Sequence, residues 1–161
     1  IIKDSKEQGR SAADAGTDIH AAVEEFYENQ FTTRHFEHVK GCTEKIKESF
    51  GQQSWICERS FAHEMGFGGK CDLHAPGFVV DIKTKEFGPS EKVEGYDEHV
   101  MQLAAYRIGL GMPGARCANV FVSRTTPGLS FVKEWSEEEL EKGWQMFTHL
   151  LMFWQLKNNH K

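Results

Sequence analysis

The stretch Gly68-Gly69-Lys70-Cys71-Asp72-Leu73-His74-Ala75-Pro76-Gly77-Phe78-Val79-Val80-Asp81-Ile82-Lys83 decides how the chain is read. Two runs of strand-like composition flank Pro76-Gly77. Side chains alternate faces along a strand, so Lys70, Asp72 and His74 share one side of the first run, and Val79, Asp81 and Lys83 one side of the second. Cys71, Leu73 and Ala75, with Phe78, Val80 and Ile82, make the opposite faces and are expected in the core. Proline at the second turn position and glycine at the third suit a tight turn. With Pro76-Gly77 as a two-residue loop, Ala75 opposes Phe78 and Asp72 opposes Asp81. A Pro-Gly turn twists less favourably for a hairpin than the primed types do, so a longer loop with a shifted register is the alternative.

Two carboxylates facing each other across a ladder repel, and a hard divalent cation that takes oxygens from both is a reason for a chain to keep them. Lys83 lies two residues beyond Asp81 on the same face. An ammonium there can hold a phosphate or orient a metal-bound water, as phosphodiester hydrolysis requires. Standing alone, an Asp-x-Lys triplet is more often a solvated surface hairpin, because both residues are common at surfaces.

The context extends the pattern. Asp81-Ile82-Lys83 after the apolar Phe78-Val79-Val80, preceded by Gly69-x-x-Asp72, resembles motifs II and III of the PD-(D/E)xK nuclease superfamily, above all its RecB-like exonuclease branch. That branch carries a helical G-T-x-x-H motif upstream, to which Gly16-Thr17-Asp18-Ile19-His20 is similar. It carries a Q-x-x-x-Y motif downstream, to which Gln102-Leu103-Ala104-Ala105-Tyr106 is similar. The four stand in the family's order across residues 16 to 106.

The resemblance implies an α/β fold with a restriction-endonuclease-like core, a mixed central sheet flanked by helices. It implies a metal-dependent DNA exonuclease of recombination, repair or replication, using one or two Mg²⁺ or Mn²⁺ ions. His20, Asp72, Asp81 and the Ile82 carbonyl are the implied metal ligands. Lys83 is implied to orient the attacking water, Gln102 to assist it, and Tyr106 to hold the helix or contact phosphate. The implied partner is DNA, as single- or double-stranded ends; a homo-oligomer or a recombination partner protein is compatible with it. Two rivals share the fold. A non-catalytic DNA-binding or assembly module is disfavoured by the presence of all the acids, and a sequence-specific endonuclease by the helical histidine and Q-x-x-x-Y; a structure-specific endonuclease stays open as an alternative. Some relatives bind an iron–sulfur cluster through closely spaced C-terminal cysteines; none follows Cys117, so no cluster is expected.

Composition sets the bounds. A chain of 161 residues, 39% of them hydrophobic, suits a single domain over residues 1–161, and no run is long and apolar enough to span a membrane. The net charge of −5 argues against a protein that coats nucleic acid nonspecifically, so a DNA-binding surface must be a local patch. Cys42, Cys57, Cys71 and Cys117 show no C-x-x-C spacing and read as buried, reduced thiols. A start at Ile1 rather than Met leaves N-terminal truncation and organellar targeting open, with an intracellular, cytoplasmic location as the default.

Along the chain, Ile19, Ala22, Val23 and Phe26 recur at helical spacing within residues 5 to 29, with His20 and Glu24 on a neighbouring face. Beside an apolar stripe a histidine is more often a packing residue than a ligand; the resemblance makes it the ligand, with Glu24 as its acceptor or as an exposed charge. Residues 36 to 50 predict a polar helix with Lys40, Lys45, Lys47, Glu37, Glu44 and Glu48 as a solvated face, and 54 to 62 a strand pairing with the Lys70 strand, on which a structural role for Glu58, facing solvent or a base, is favoured over an approach to the metal. Residues 84 to 95 read as a charged loop, where Lys85 and Lys92 are candidate phosphate contacts. Tyr96 to Leu110 predicts a helix, then strands over 117–123 and 129–135. Ser136-Glu137-Glu138-Glu139 is a capping box opening a last helix whose apolar stripe reads as mostly core, broad enough for a subunit contact as well.

Overall fold

A computed structural model of the chain describes residues 2–159, with side chains from residue 13 onward. The elements in order are α1 (Ile2–Asn29), α2 (Phe36–Phe50), β1 (Ile56–His63), β2 (Phe67–Ala75), β3 (Phe78–Lys85), α3 (Asp97–Gly109), β4 (Arg116–Ser123), β5 (Ser130–Trp135) and α4 (Glu137–Lys157). The strands form a five-stranded sheet in the order β1-β2-β3-β4-β5, so β3 is its centre. Central position explains its sequence: Val79, Val80, Asp81 and Ile82 are buried one after another, as in a strand covered on both faces. β4 is buried likewise from Cys117 to Ser123.

The chain divides into two compact units, one of Ile1–Gln53, Ile82–Val93 and Val120–Val132, the other of Ser54–Asp81, Glu94–Asn119 and Lys133–Lys161. In the first, α1 packs on α2. The stripe Ile19, Ala22, Val23 of α1 and Val39, Cys42, Ile46, Phe50 of α2 are buried at the three- and four-residue steps that put apolar side chains on one helical face. The loop after β3 is tied down, since the Ser123 hydroxyl donates to the Phe87 carbonyl at 2.6 Å and Phe87 is itself buried.

In the second unit β1 pairs antiparallel with β2, and α3 packs against α4 around Val79, Val100, Leu103, Cys117, Trp135 and Leu140. The Ser136 hydroxyl caps α4 by accepting from the Glu139 N–H at 3.1 Å, while the Glu139 carboxylate accepts from the Ser136 N–H at 3.0 Å, the reciprocal pair expected from the sequence. Arg107, at the end of α3 and only 5% exposed, makes a two-pronged bond to Glu137, both at 2.8 Å, joining α3 to the start of α4.

Three expectations are corrected. His74, on the same side of β2 as the exposed Lys70, is itself buried, because the last part of β2 is covered on both sides. Cys57 is only half-buried, on the outermost strand, while the other three thiols are buried. The stripe of α4 is not mostly core: Leu140 is buried and Trp144, Met146, Phe147 and Leu151 are half-buried, whereas Leu150, Phe153 and Trp154, with Met152 and Leu156 beside them, are half or more exposed. These later residues surround the helix rather than following one face, so a single packing surface covers only some of them.

Among the described residues, two histidines carry a buried ring nitrogen with no hydrogen-bond partner, Nε2 of His38 and Nδ1 of His74. Burial lowers the pKa of each below the usual histidine value. Repulsion from His35 adds to this for His38, and from Arg59 for His74.

Candidate active site

The hairpin closes as the two-residue reading requires. Ala75 pairs with Phe78, His74 with Val79 and Leu73 with Val80. Asp72 and Asp81 are the next residues along the two strands. Gly77 has φ 85°, the left-handed conformation that glycine supplies at the third position of such a turn. The Arg116 N–H donates to its carbonyl at 2.8 Å and fastens the turn to the start of β4.

Asp81 is 3% exposed, a costly place for a carboxylate. Its Oδ2 accepts from Asn119 Nδ2 at 3.3 Å, and Asn119 Oδ1 accepts from the Trp135 indole N–H at 2.8 Å. Asp72 is half-buried. Glu58 pairs with Lys70 at 2.9 Å.

Gln102 and Tyr106 project from α3 together, the Gln102 amide donating to the Tyr106 oxygen at 2.7 Å. The tyrosine ring lies so close over β2 that a Cβ on Gly69 would stand 2.6 Å from its Cε1. Glycine at 69 is therefore what admits the ring, and it links the Gly69-x-x-Asp72 stretch to Gln102-x-x-x-Tyr106 by packing. Phe61 meets the same ring edge to face at 5.6 Å. Burial pushes the Tyr106 hydroxyl up to about 12, helped by the negative charges of Asp81 and Asp72. The phenol is a proton donor at neutral pH, not a base. The Cys71 thiol is pushed up by burial and then by the same two carboxylates, and it donates to the carbonyl two residues on, Leu73 O, at 3.1 Å. Both shifts record the two acid charges concentrated here.

The first compact unit holds Ile82, Lys83 and His20. Ile82 is buried and Lys83 half-buried on the continuation of β3. A Cβ on Gly16 would stand 2.5 Å from Thr84 Oγ1, so α1 approaches β3 at a glycine, and His20 lies about one helical turn further along. His20 and Glu24 are half-buried. Asp18 of the same stretch ties down the chain after α1, with Oδ2 to His35 Nε2 and Oδ1 to Arg34 Nη1, both at 2.6 Å; the histidine bond is the main reason its pKa is lowered. Arg124 donates to Thr84 O at 2.9 Å and to Thr84 Oγ1 at 3.2 Å, clamping the end of β3. Lys85 sits over the Phe121 ring at 4.7 Å, which occupies a side chain considered for phosphate contact.

The donors of the hairpin suit a hard cation. Asp72 and Asp81 supply carboxylate oxygens, and burial raises the pKa of the neighbouring Cys71 thiol. Among the described residues no group of three or more His, Cys, Asp or Glu side chains is gathered tightly enough to hold a metal ion. Asn119, Trp135 and Arg124 were not singled out from the sequence. One signal was there: an amide inside the otherwise apolar run Ala118-Asn119-Val120-Phe121-Val122.

No family model matches the sequence, and no curated protein does. Eleven solved chains resemble the fold. Among them is a crystal structure called "Putative exonuclease" from Eubacterium rectale, with TM-score 0.60 and 13% identity over 91% of this chain and 69% of that one. At that identity the likeness concerns the fold alone, an α/β arrangement with a restriction-endonuclease-like core, as expected from the sequence. No described helix is long and apolar enough to cross a membrane.

Proposed function

We propose that the chain is a metal-dependent deoxyribonuclease of the PD-(D/E)xK type, an exonuclease of the RecB-like branch acting on DNA ends. The observation that carries this is the hairpin register: pairing that runs to Leu73 and Val80 leaves Asp72 and Asp81 next on adjacent strands, with Lys83 two residues on from Asp81. The likeness in fold to a protein called an exonuclease adds support at the level of architecture.

In this reading Asp72 and Asp81 hold Mg²⁺ or Mn²⁺. The bound ion supplies a Lewis acid and lowers the pKa of water. The resemblance adds His20 and the Ile82 carbonyl to the ligands, and that part of the proposal rests on the resemblance. Lys83 is not a cation ligand; its ammonium orients the nucleophile and offsets charge on the phosphoryl oxygens. Tyr106, its oxygen fixed by Gln102, keeps its proton and can donate it to a phosphate oxygen. Recombination, repair or replication is the setting that fits such an activity.

The test is Lys83→Met. Single-turnover cleavage of a linear duplex and of a single strand, in Mg²⁺ and in Mn²⁺, should fall by about a hundredfold or more, the scale of deleting one preorganised electrostatic donor. Mn²⁺ binding and DNA affinity in Ca²⁺ should persist. A wild type that binds DNA yet cuts neither substrate in either metal would refute the nuclease reading.

A further inference from the structure

We infer that Asn119 and Trp135 are positioning residues for Asp81, a two-step relay that fixes the direction of its carboxylate; the inference rests on the reading of Asp81 as a cation ligand. Asn119 is 0%, Asp81 3% and Trp135 7% exposed, so the whole relay is out of water. An indole nitrogen only donates. Its bond of 2.8 Å therefore dictates which end of the Asn119 amide faces Trp135: the oxygen must, and the NH₂ must face the other way. There it meets Asp81 Oδ2 at 3.3 Å. The amide cannot flip without setting its own NH₂ against the indole N–H. Oδ2 is in consequence held towards β4, and Oδ1 is presented in one direction.

The indole is itself held. Lys133 Nζ sits over its ring at 4.8 Å. Stability alone does not account for this arrangement. Every other residue from Cys117 to Val122 is apolar and buried, and a fully buried amide and carboxylate gain less than the apolar side chains that could replace them. What the polar pair supplies is orientation, the role that outer partners of a metal-binding carboxylate play.

The variants are Trp135→Phe, which keeps an aromatic ring but removes the donor that orients the amide, and Asn119→Leu, which removes the relay and keeps the volume. Each is compared with wild type by melting in chelator, by calorimetric titration with Mn²⁺, and by single-turnover cleavage at saturating Mn²⁺ beside DNA binding in Ca²⁺. The expected result is Mn²⁺ affinity weakened about tenfold or more in Asn119→Leu, with a smaller loss in Trp135→Phe. Cleavage should slow while DNA affinity stays unchanged. A purely structural pair would lower the melting temperature and leave Mn²⁺ affinity and the saturated rate within twofold of wild type; that outcome overturns the inference while the nuclease reading stands. A wild type that neither binds Mn²⁺ nor cuts removes both, and it is recognised in wild type before any variant is measured. Should Asn119→Leu fail to fold, Trp135→Phe alone decides, because it changes a single donor.

Discussion

Gly16→Ala offers a direct test of how α1 meets β3. In an ordinary helix interior the change should stabilise by about 1 kcal/mol, because alanine loses less backbone freedom on folding. Here the new methyl would stand 2.5 Å from Thr84 Oγ1, and 3.7 Å from Thr84 Cβ, which is ordinary contact. The clash is thus with one oxygen. Thr84 can turn it aside only by losing the bond from Arg124 at 3.2 Å, although the shorter contact of Arg124 with Thr84 O at 2.9 Å survives. Overpacking of this kind costs about 1–3 kcal/mol, so the net effect should be a loss of roughly 1 kcal/mol. In a Thr84→Ala background the oxygen is gone and the helix preference should return as a gain of about 1 kcal/mol, a coupling near 2 kcal/mol between the two positions. Urea unfolding of the four proteins followed by far-ultraviolet circular dichroism measures it. A gain from Gly16→Ala of the same size in both backgrounds would refute the close approach.

Asp81→Asn should melt higher than wild type in chelator, since it removes a buried charge, and should gain less from Mn²⁺; equal gains in a thermal melt would count against the carboxylate pair as a metal site. Glu137→Ala should cost about 1–3 kcal/mol in chemical denaturation, more than an exposed ion pair warrants, because it leaves the Arg107 guanidinium buried without its carboxylate. Tyr106 gives an alkaline signature. Its folded pKa of about 12 lies above the usual tyrosine value of 10.0, so the folded chain holds the proton more tightly, and the contribution is full below 10.0 and lost as pH rises towards 12. The ring is only half-buried, so solvent screening leaves on the order of 1 kcal/mol, and Tyr106→Phe should lack that part of the decline between the two pH values.

The sequence carried the local features well because each depends on a few neighbouring residues. Pro76-Gly77 set the hairpin register, Ser136 to Glu139 the start of α4, and the apolar steps of α1 its buried face, whereas the buried face of α2, Val39, Cys42, Ile46 and Phe50, was passed over for its charged one. Features that depend on what lies across the sheet were harder to read. His74 alternates with Cys71 and Leu73 in a way that suggests an outward face, yet coverage of β2 on both sides buries it. Asn119 and Asp81 are 38 residues apart, and nothing local to either indicates the bond between them. Gly69 was read as part of a motif; its reason, the Tyr106 ring lying on it, becomes visible only once α3 is placed against β2. In α4 periodicity promised burial, but the apolar residues of its second half exceed what one packing face can cover.

The unpartnered ring nitrogens of His38 and His74 bear on how the protein withstands acid. A neutral imidazole that leaves one nitrogen unmatched loses the hydration of one group; a protonated ring must place a charge and a second donor in the same dry spot. With both folded pKa values held below the usual histidine value of 6.5 by burial, the folded chain takes up these protons less readily than the unfolded chain. Stability is therefore unaffected by these rings above 6.5 and drains away as pH falls through their folded values. One ring belongs to each compact unit, so an acidic compartment would strain both units through the same chemistry.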